Sequence, residues 1–182
     1  MQSYVTSLGL ILLVLPLAVA VTLIAVAQTA FRPKTMPGWR MVTPGAGYWV
    51  ASILSVALAS LIGWVWAFVG SSRLDGAFQM RVAWWLAFVF AWASCFVAWR
   101  ILALYRQAIR WRGETVQWSG RAAPVTMTSL ARLGTSIWGY TRAEFKGGQI
   151  LSIDLAAMGA DALVERLEDL NGLAPPDRPG EH

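Results

Sequence analysis

Three apolar stretches, each long enough to cross a lipid bilayer, constrain this chain more than any other feature of its sequence. A bilayer core about 30 Å thick requires about 20 mostly apolar residues in a helix. Stretches of that length lie near residues 5–29, 48–70 and 82–105. Only 14% of the 182 residues are charged, whereas soluble domains average about 25%. The chain is therefore predicted to carry a transmembrane domain of three helices over residues 1–105.

The first stretch has two interpretations. Its tripeptide Ala25-Val26-Ala27 resembles the cleavage site of a secretory signal, but the basic region that precedes such signals is absent. We therefore expect a retained membrane anchor, kinked or loosened at Pro16.

Basic residues predict the orientation of the spans. The loop after the first span carries Arg32, Lys34 and Arg40, and further arginines follow the third span, whereas the N-terminus is uncharged. The positive-inside rule then places the N-terminus outside and the C-terminal region in the cytoplasm. We expect a multi-pass protein of the bacterial inner (cytoplasmic) membrane. The net charge of +5 is a topology signal beside the spans, so no nucleic-acid partner is expected.

The third predicted span separates its smallest residues from its largest. At about 100° per residue, its small side chains fall within one arc of the helix and its aromatic side chains within an arc almost opposite. The small-residue face consists of Ala83, Ala87, Ala91, Ser94 and Ala98. A ladder with a four-residue repeat along the second span consists of Ala51, Ser55, Ala59, Gly63 and Ala67. Small residues let helices approach closely in lipid, so these two spans are predicted to pack as an antiparallel hairpin.

The opposite face of the third span is a row of large rings, here called the aromatic ridge. It consists of Trp85, Phe88, Trp92, Phe96 and Trp99. Trp92 is expected near the middle of the membrane, where its indole N–H would need an acceptor. Three interpretations are open: the ridge packs on the first span or on lipid, it docks another membrane subunit, or it touches a bound lipid, quinone or pigment.

The periodicity changes after about residue 108, where apolar and polar residues begin to alternate. This alternation recurs in residues 109–112, 115–119, 125–127, 135–145 and 149–155. Tight turns such as Lys146-Gly147-Gly148 separate the segments, so short antiparallel strands are predicted. An amphipathic helix is predicted over residues 159–171, followed by a disordered tail over 172–182. The expected fold class is therefore a helical membrane protein with a small C-terminal α+β domain.

Residues 106–171 resemble the small bacterial pleckstrin-homology-like domains. The resemblance rests on the order of the paired strands IRWRGETVQWSG, the segment VTMTSLARLG, the turn FKGGQILSIDL and the helix ADALVERLEDL. It implies an antiparallel sheet closed by one helix and a role in binding proteins or lipids. Phosphoinositide-binding members carry a long basic loop between their first two strands. This sequence has only the RGE turn at that connection, so inositide recognition is not expected.

Four arginines at and after the end of the third span are candidates for contact with anionic lipid. They are Arg100, Arg106, Arg110 and Arg112. A basic residue near an anionic membrane surface contributes about 1 kcal/mol. The alternative is that these residues only anchor the spans on the cytoplasmic side and solvate one face of a strand.

The sequence contains no pattern that predicts catalysis, a metal site or a cofactor. The one histidine is His182 at the chain end, and the one cysteine, Cys95, lies within an apolar run. We expect a non-catalytic accessory, scaffold or assembly subunit of a larger inner-membrane complex, such as a respiratory or photosynthetic one. Its partners would be other integral membrane subunits and membrane lipids. The alternative is a stand-alone membrane sensor or adaptor that binds anionic lipid or a cytoplasmic signalling protein.

Overall fold

The computed structural model describes residues 2–31, 36–69, 76–119, 123–135 and 139–173. The chain divides into two compact units. The first comprises residues 1–32 and 46–103, and the second comprises residues 33–45 and 104–182.

Long apolar helices form the first unit. Helix α1 spans Gln2–Ala30, α2 spans Ala46–Trp64 and continues as a π-helix over Val65–Val69, and α3 spans Gly76–Gln107. Among the described residues, three helices are long and apolar enough to cross a membrane. The predicted set of spans is confirmed at this level, and the chain has the character of a multi-pass membrane protein.

Helix α1 includes Pro16, so the helix does not end at the residue where a kink or loosening is expected. Polar side chains in the helices bond to their own backbone. Thr22 and Thr29 donate from Oγ1 to the carbonyls four residues earlier at 2.8 Å, and Ser94 donates to the Ala91 carbonyl at 2.7 Å. Such bonds satisfy hydroxyl groups where water is absent.

The second unit contains two small antiparallel sheets and one helix. A four-stranded sheet has the order β1 (Arg40–Met41), β2 (Arg110–Arg112), β3 (Thr115–Gln117) and β4 (Val125–Thr126). A three-stranded sheet has the order β5 (Leu130–Thr135), β6 (Tyr140–Phe145) and β7 (Ile150–Asp154). A 3₁₀ turn, Met127–Ser129, joins the sheets in sequence, and α4 spans Ala160–Asn171. The expected small α+β region with a C-terminal helix is confirmed.

Helix α4 follows the boundaries that its sequence predicts. It begins after Gly159, which has a positive φ of 86°, and ends at Gly172, which has a φ of 62°. Positive φ favours glycine because other residues meet a steric penalty from Cβ. Leu163 and Leu167 are fully buried on the apolar stripe of α4, and Asn171 Nδ2 donates to the Met127 carbonyl at 3.0 Å.

Strand β1 comes from a part of the chain that was predicted to be a loop of the membrane domain. Arg40 lies opposite Trp111 and Met41 opposite Arg110 in the β1–β2 pair. Thr43 and Met158 also exchange backbone hydrogen bonds of 3.1 and 2.8 Å. Residues 33–45 therefore group with the second unit and not with the region 1–105 in which they were placed.

The position of β1 in the chain changes which strands of the predicted domain each connection joins. The RGE turn joins β2 to β3, while β1 is joined to β2 through the whole of α2 and α3. Of the segment predicted as one strand over 135–145, β6 covers Tyr140–Phe145, while β5, Leu130–Thr135, lies almost wholly before that segment and was not predicted as a strand. Residues 174–182 of the predicted tail lie outside the described residues.

Candidate interaction surfaces

The small-residue ladders of α2 and α3 meet at one buried cluster. Ala59, Ala87 and Ala91 form this cluster together with Leu13 of α1. A Cβ added to Gly63 would lie 3.5 Å from the Leu13 Cδ1 atom and 4.0 Å from the Ala87 Cβ atom. The three helices therefore share a buried contact at which small side chains of two of them coincide.

Other ladder positions differ in exposure. Ala98 and Ser94 are fully buried, while Ser55, Ala67 and Ala83 are partly exposed. Ala51 is exposed, and its neighbour Ser52 is buried instead. Leu13 was missed at the sequence level because α1 carries apolar residues on every side, so no periodicity distinguishes the position that packs.

The aromatic ridge remains largely uncovered within the first unit. Trp85, Trp92, Phe96 and Trp99 expose between 52% and 58% of their surface. Phe88 differs, since it is partly buried against the cluster of small residues. Packing on α1 therefore does not cover the four exposed rings in the described part of the chain.

Ring contacts join neighbouring rings within two parts of the ridge, Trp85–Phe88–Trp92 and Phe96–Trp99. The centroid distances are 5.7 Å between Trp85 and Phe88, 6.0 Å between Phe88 and Trp92, and 6.3 Å between Phe96 and Trp99. Contacts at such distances restrict the rotamers of neighbouring rings. The ridge is thus an ordered apolar surface along one side of the helix.

The four candidate lipid-contacting arginines have different surroundings. Arg100 donates from Nη2 to the Tyr48 hydroxyl oxygen at 3.1 Å, and its guanidinium carbon lies 5.9 Å from the Phe96 ring centroid. Arg110 donates from Nε to the Gln117 Oε1 atom at 3.1 Å. Arg106 and Arg112 are exposed. Arg106 and Arg112 are therefore more accessible than Arg100 and Arg110, which are partly buried.

Strands β1 and β2 exchange arginine–tryptophan contacts. The Arg40 guanidinium carbon lies 5.0 Å from the Trp111 ring centroid, and that of Arg110 lies 5.6 Å from the Trp39 ring centroid. Cation–π attraction of this kind contributes about 0.5–1 kcal/mol at exposed sites. Sequence reasoning missed the pair Trp39 and Arg40, whose only signal is that Trp-Arg at 39–40 mirrors Arg-Trp at 110–111.

A groove of about 410 Å³ lies in the second unit, between the sheet and α4. Strands β1 and β2 contribute Arg40 and Trp111, and the turn after β2 contributes Gly113. The helix contributes Ala162, Glu165, Arg166 and Asp169. The helical residues share one face of α4, because three- and four-residue spacings align on a helix. Two cationic and two anionic side chains thus line one open groove.

Trp111 gives this groove an unusual chemical feature. Its side chain is only 6% exposed, and its indole Nε1 is buried without a hydrogen-bond partner among the described residues. The indole N–H is only a donor, and leaving a buried donor unpaired costs about 1–3 kcal/mol. Most buried polar groups are paired, so this atom requires an explanation.

The described residues contain surfaces suited to binding. Within that part of the chain, no three side chains from histidine, cysteine, aspartate and glutamate are grouped so that they could hold a metal ion. The features that remain are an apolar ridge on α3 and a mixed-charge groove beside α4. No protein-family model, curated protein or solved structure matches this chain.

Proposed function

We propose that this protein is a non-catalytic accessory or assembly subunit of a larger complex in the bacterial inner membrane. The observation that carries the proposal is the contrast within α3. Ala87, Ala91 and Ala98 are fully buried, while Trp92 and Phe96 are more than half exposed. The bundle uses its small residues internally and leaves its largest apolar anchors for an external contact.

The length of the ridge supports a protein partner over lipid alone. Aromatic belts that serve only the interface lie at the ends of spans. From Trp85 to Trp99 the ridge extends about 21 Å along the helix axis at about 1.5 Å per residue. Rings that continue through the central part of a span provide rigid anchors with large contact area, as at protein interfaces.

The second unit is proposed to be the cytoplasmic contact domain of this subunit, with the N-terminus of the chain outside. Its four-stranded sheet, three-stranded sheet and C-terminal helix support the proposed likeness to pleckstrin-homology-like domains. In this proposal the α3 ridge binds integral membrane subunits, while the second unit binds a cytoplasmic region of the same complex. Respiratory and photosynthetic complexes are examples of the kind of complex that is proposed.

Extraction in a mild detergent tests the proposal. The full chain, purified from its native membrane and separated on a native gel, is expected to carry companion proteins in fixed stoichiometry, identified by mass spectrometry. A monodisperse monomer under several mild detergents would contradict an accessory role.

Variants of the ridge test its part in that association. Trp92→Leu combined with Phe96→Leu removes two exposed rings while keeping apolar character, and we expect loss of most of the companion protein. Trp64→Leu is the matched control, because Trp64 lies on α2 and is 55% exposed. Equal retention of companions by the ridge variant and the control would assign the ridge to lipid.

The exposure of Arg106 and Arg112 favours a second candidate function, an adaptor that binds anionic lipid. The full chain in nonionic micelles would then retain phosphatidylglycerol over phosphatidylcholine, and added salt would weaken the retention. The double variant Arg106→Gln and Arg112→Gln is expected to abolish this preference. A preference that survives both the salt and the substitutions would exclude these arginines as the lipid contact.

A further inference from the structure

We propose that the groove between the four-stranded sheet and α4 binds a polypeptide segment that carries both an acidic and a basic side chain. The inference rests on the proposed function, since it assigns a class of partner to the second unit of a docking subunit. The residues that line this groove include none of the aromatic ridge and neither Arg106 nor Arg112.

The charges of the groove select the class of ligand. Arg40 and Arg166 can bind a carboxylate, while Glu165 and Asp169 can bind an ammonium or guanidinium group. A phosphate or an anionic lipid surface would be attracted by the two arginines but repelled by the two carboxylates. A segment that carries one charge of each sign meets a complementary group in both cases.

The buried indole supplies a second requirement that a polypeptide meets. Trp111 Nε1 has no acceptor among the described residues, and a polypeptide offers a carbonyl oxygen at every residue. Arg40 is exposed, and its guanidinium carbon lies 5.0 Å from the centroid of the Trp111 ring. Because the Arg40 guanidinium lies over this ring, the proposal requires a ligand carboxylate to draw Arg40 aside so that a ligand carbonyl can reach Nε1.

The size of the groove fits a short segment. Its volume of about 410 Å³ falls within the about 300–1,000 Å³ that is usual for ligand sites. Its helical wall is a regular α-helix with its apolar stripe buried, as Leu163 and Leu167 are fully covered. The groove is therefore built on rigid elements, which favours a defined ligand geometry.

An array of immobilised hexapeptides provides the probe. One set carries one Glu and one Lys at varied spacing, and the two comparison sets carry either two Glu or two Lys. The fluorescently labelled full chain in nonionic detergent is expected to bind the mixed set about tenfold more tightly than either comparison set. Equal binding to all three sets, preference for a single-sign set, or no binding would overturn the proposal.

Substitutions in the groove sharpen the test. Arg166→Gln is expected to weaken binding of the mixed peptides about tenfold. Arg132→Gln is the matched control, because Arg132 is exposed and does not line the groove. Glu165→Gln combined with Asp169→Asn should shift the preference toward peptides with two Glu. Identical affinities for these variants and the control would place binding elsewhere on the chain.

The indole itself gives a readout that a change in folding would not imitate. In the full chain labelled with ¹⁵N at tryptophan, the Trp111 Nε1–H signal is assigned by its loss in Trp111→Phe. Saturating mixed peptide is expected to move this signal downfield as the N–H gains an acceptor. An unchanged signal at saturation would show that the peptide does not reach Trp111.

The two proposals fail in different ways. If Arg166→Gln leaves peptide binding unchanged while companion proteins still co-purify, the groove proposal is wrong and the subunit proposal stands. If the full chain is a monomer in its native membrane but binds the mixed peptides through the groove, the subunit proposal is wrong and the groove is a peptide site of a stand-alone adaptor.

Discussion

The two units of this chain differ in the size of the side chains that they mostly bury. In the helical unit, Ala87 and Ala91 are fully buried, whereas Trp92 on the same helix is 52% exposed. In the second unit, Leu163 and Ile153 are fully buried, and most charged side chains are exposed or partly exposed. Small residues therefore predominate in the core of the helical unit, and large ones predominate in the core of the second unit.

The difference follows from the surroundings of each unit. In water, burying apolar surface contributes about 25 cal/mol per Å², so large apolar residues drive folding. Lipid tails are as apolar as leucine, so burying large residues there gains little, and close backbone approach between small residues matters more. The size of the buried residues thus indicates which solvent each unit faces.

The largest expected effect comes from shortening a large buried side chain in the core of the second unit. Leu163→Ala should lower the free energy of unfolding of this unit by about 2–5 kcal/mol, because it leaves a cavity. Denaturation of the full chain in detergent, monitored by hydrogen exchange of the β6 and β7 amides, measures the loss. Leu173→Ala is the control, because Leu173 is 43% exposed and should change stability by less than about 0.5 kcal/mol. Equal losses of stability in Leu163→Ala and Leu173→Ala would contradict a core that is stabilised by burying large apolar side chains away from water.

The reverse change should break the helical core. Ala91→Leu inserts a large residue where the helices meet, and overpacking of this kind costs about 1–3 kcal/mol. Unfolding in mixed micelles of dodecyl sulfate and a nonionic detergent measures the change. Val89→Leu is matched to it, since Val89 lies two residues away and is 57% exposed, so its stability should stay near that of the parent. A tolerated Ala91→Leu would show that small size is not required there.

Gly159 tests whether residues 40–43 belong to the second unit. Its φ is 86°, and a Cβ there would lie 3.0 Å from the Met41 carbonyl oxygen. Gly159→Ala should cost about 1–2 kcal/mol for the left-handed backbone and should also speed hydrogen exchange at Thr43 and Met158. Gly172→Ala isolates the backbone term, because no atom lies within 4 Å of the added Cβ. If hydrogen exchange at Thr43 is unchanged in Gly159→Ala, residues 40–43 do not belong to the second unit.

The smallest effect is expected at the residue after α3. Ala108 is the non-glycine residue with positive φ in the described chain, at 44°, and its N–H donates to the Leu104 carbonyl at 3.2 Å. Ala108→Gly should raise the free energy of unfolding by about 0.5 kcal/mol, because glycine adopts this conformation without strain. Ala103→Gly, within the helix, should instead lower it by about 0.5–1 kcal/mol. Thermal unfolding of the full chain measures both changes in stability, which are expected to have opposite signs.

Much of the fold was predictable because each element carries its own local signal. Uninterrupted apolar length indicates the spans, and the final helix is marked by its stripe of leucines and by Asn171-Gly172 at its end. The ladders of the second and third spans were also visible as periodic small residues. Periodicity could not show that Ala59 would be buried and Ala51 exposed, because that depends on where the helices approach.

The candidate sites were less predictable. The aromatic ridge is visible from the sequence of α3 alone, and four of its five rings are exposed. The groove beside α4 was not foreseen, since Arg40, Trp111 and Arg166 are far apart in sequence and share no spacing rule. Glu165 and Asp169 carried only the signal of a solvated helix face.

The sequence by itself determined that three spans precede a small mixed α+β region closed by a helix, because length and periodicity are local properties. Only the tertiary structure decided that residues between the first two helices supply the edge strand β1. A strand of two residues, Arg40–Met41, is too short to show alternation, and its pairing with β2 joins positions separated by two helices. Contacts over such distances leave no trace in local pattern, because they depend on surfaces that exist only after the chain has folded.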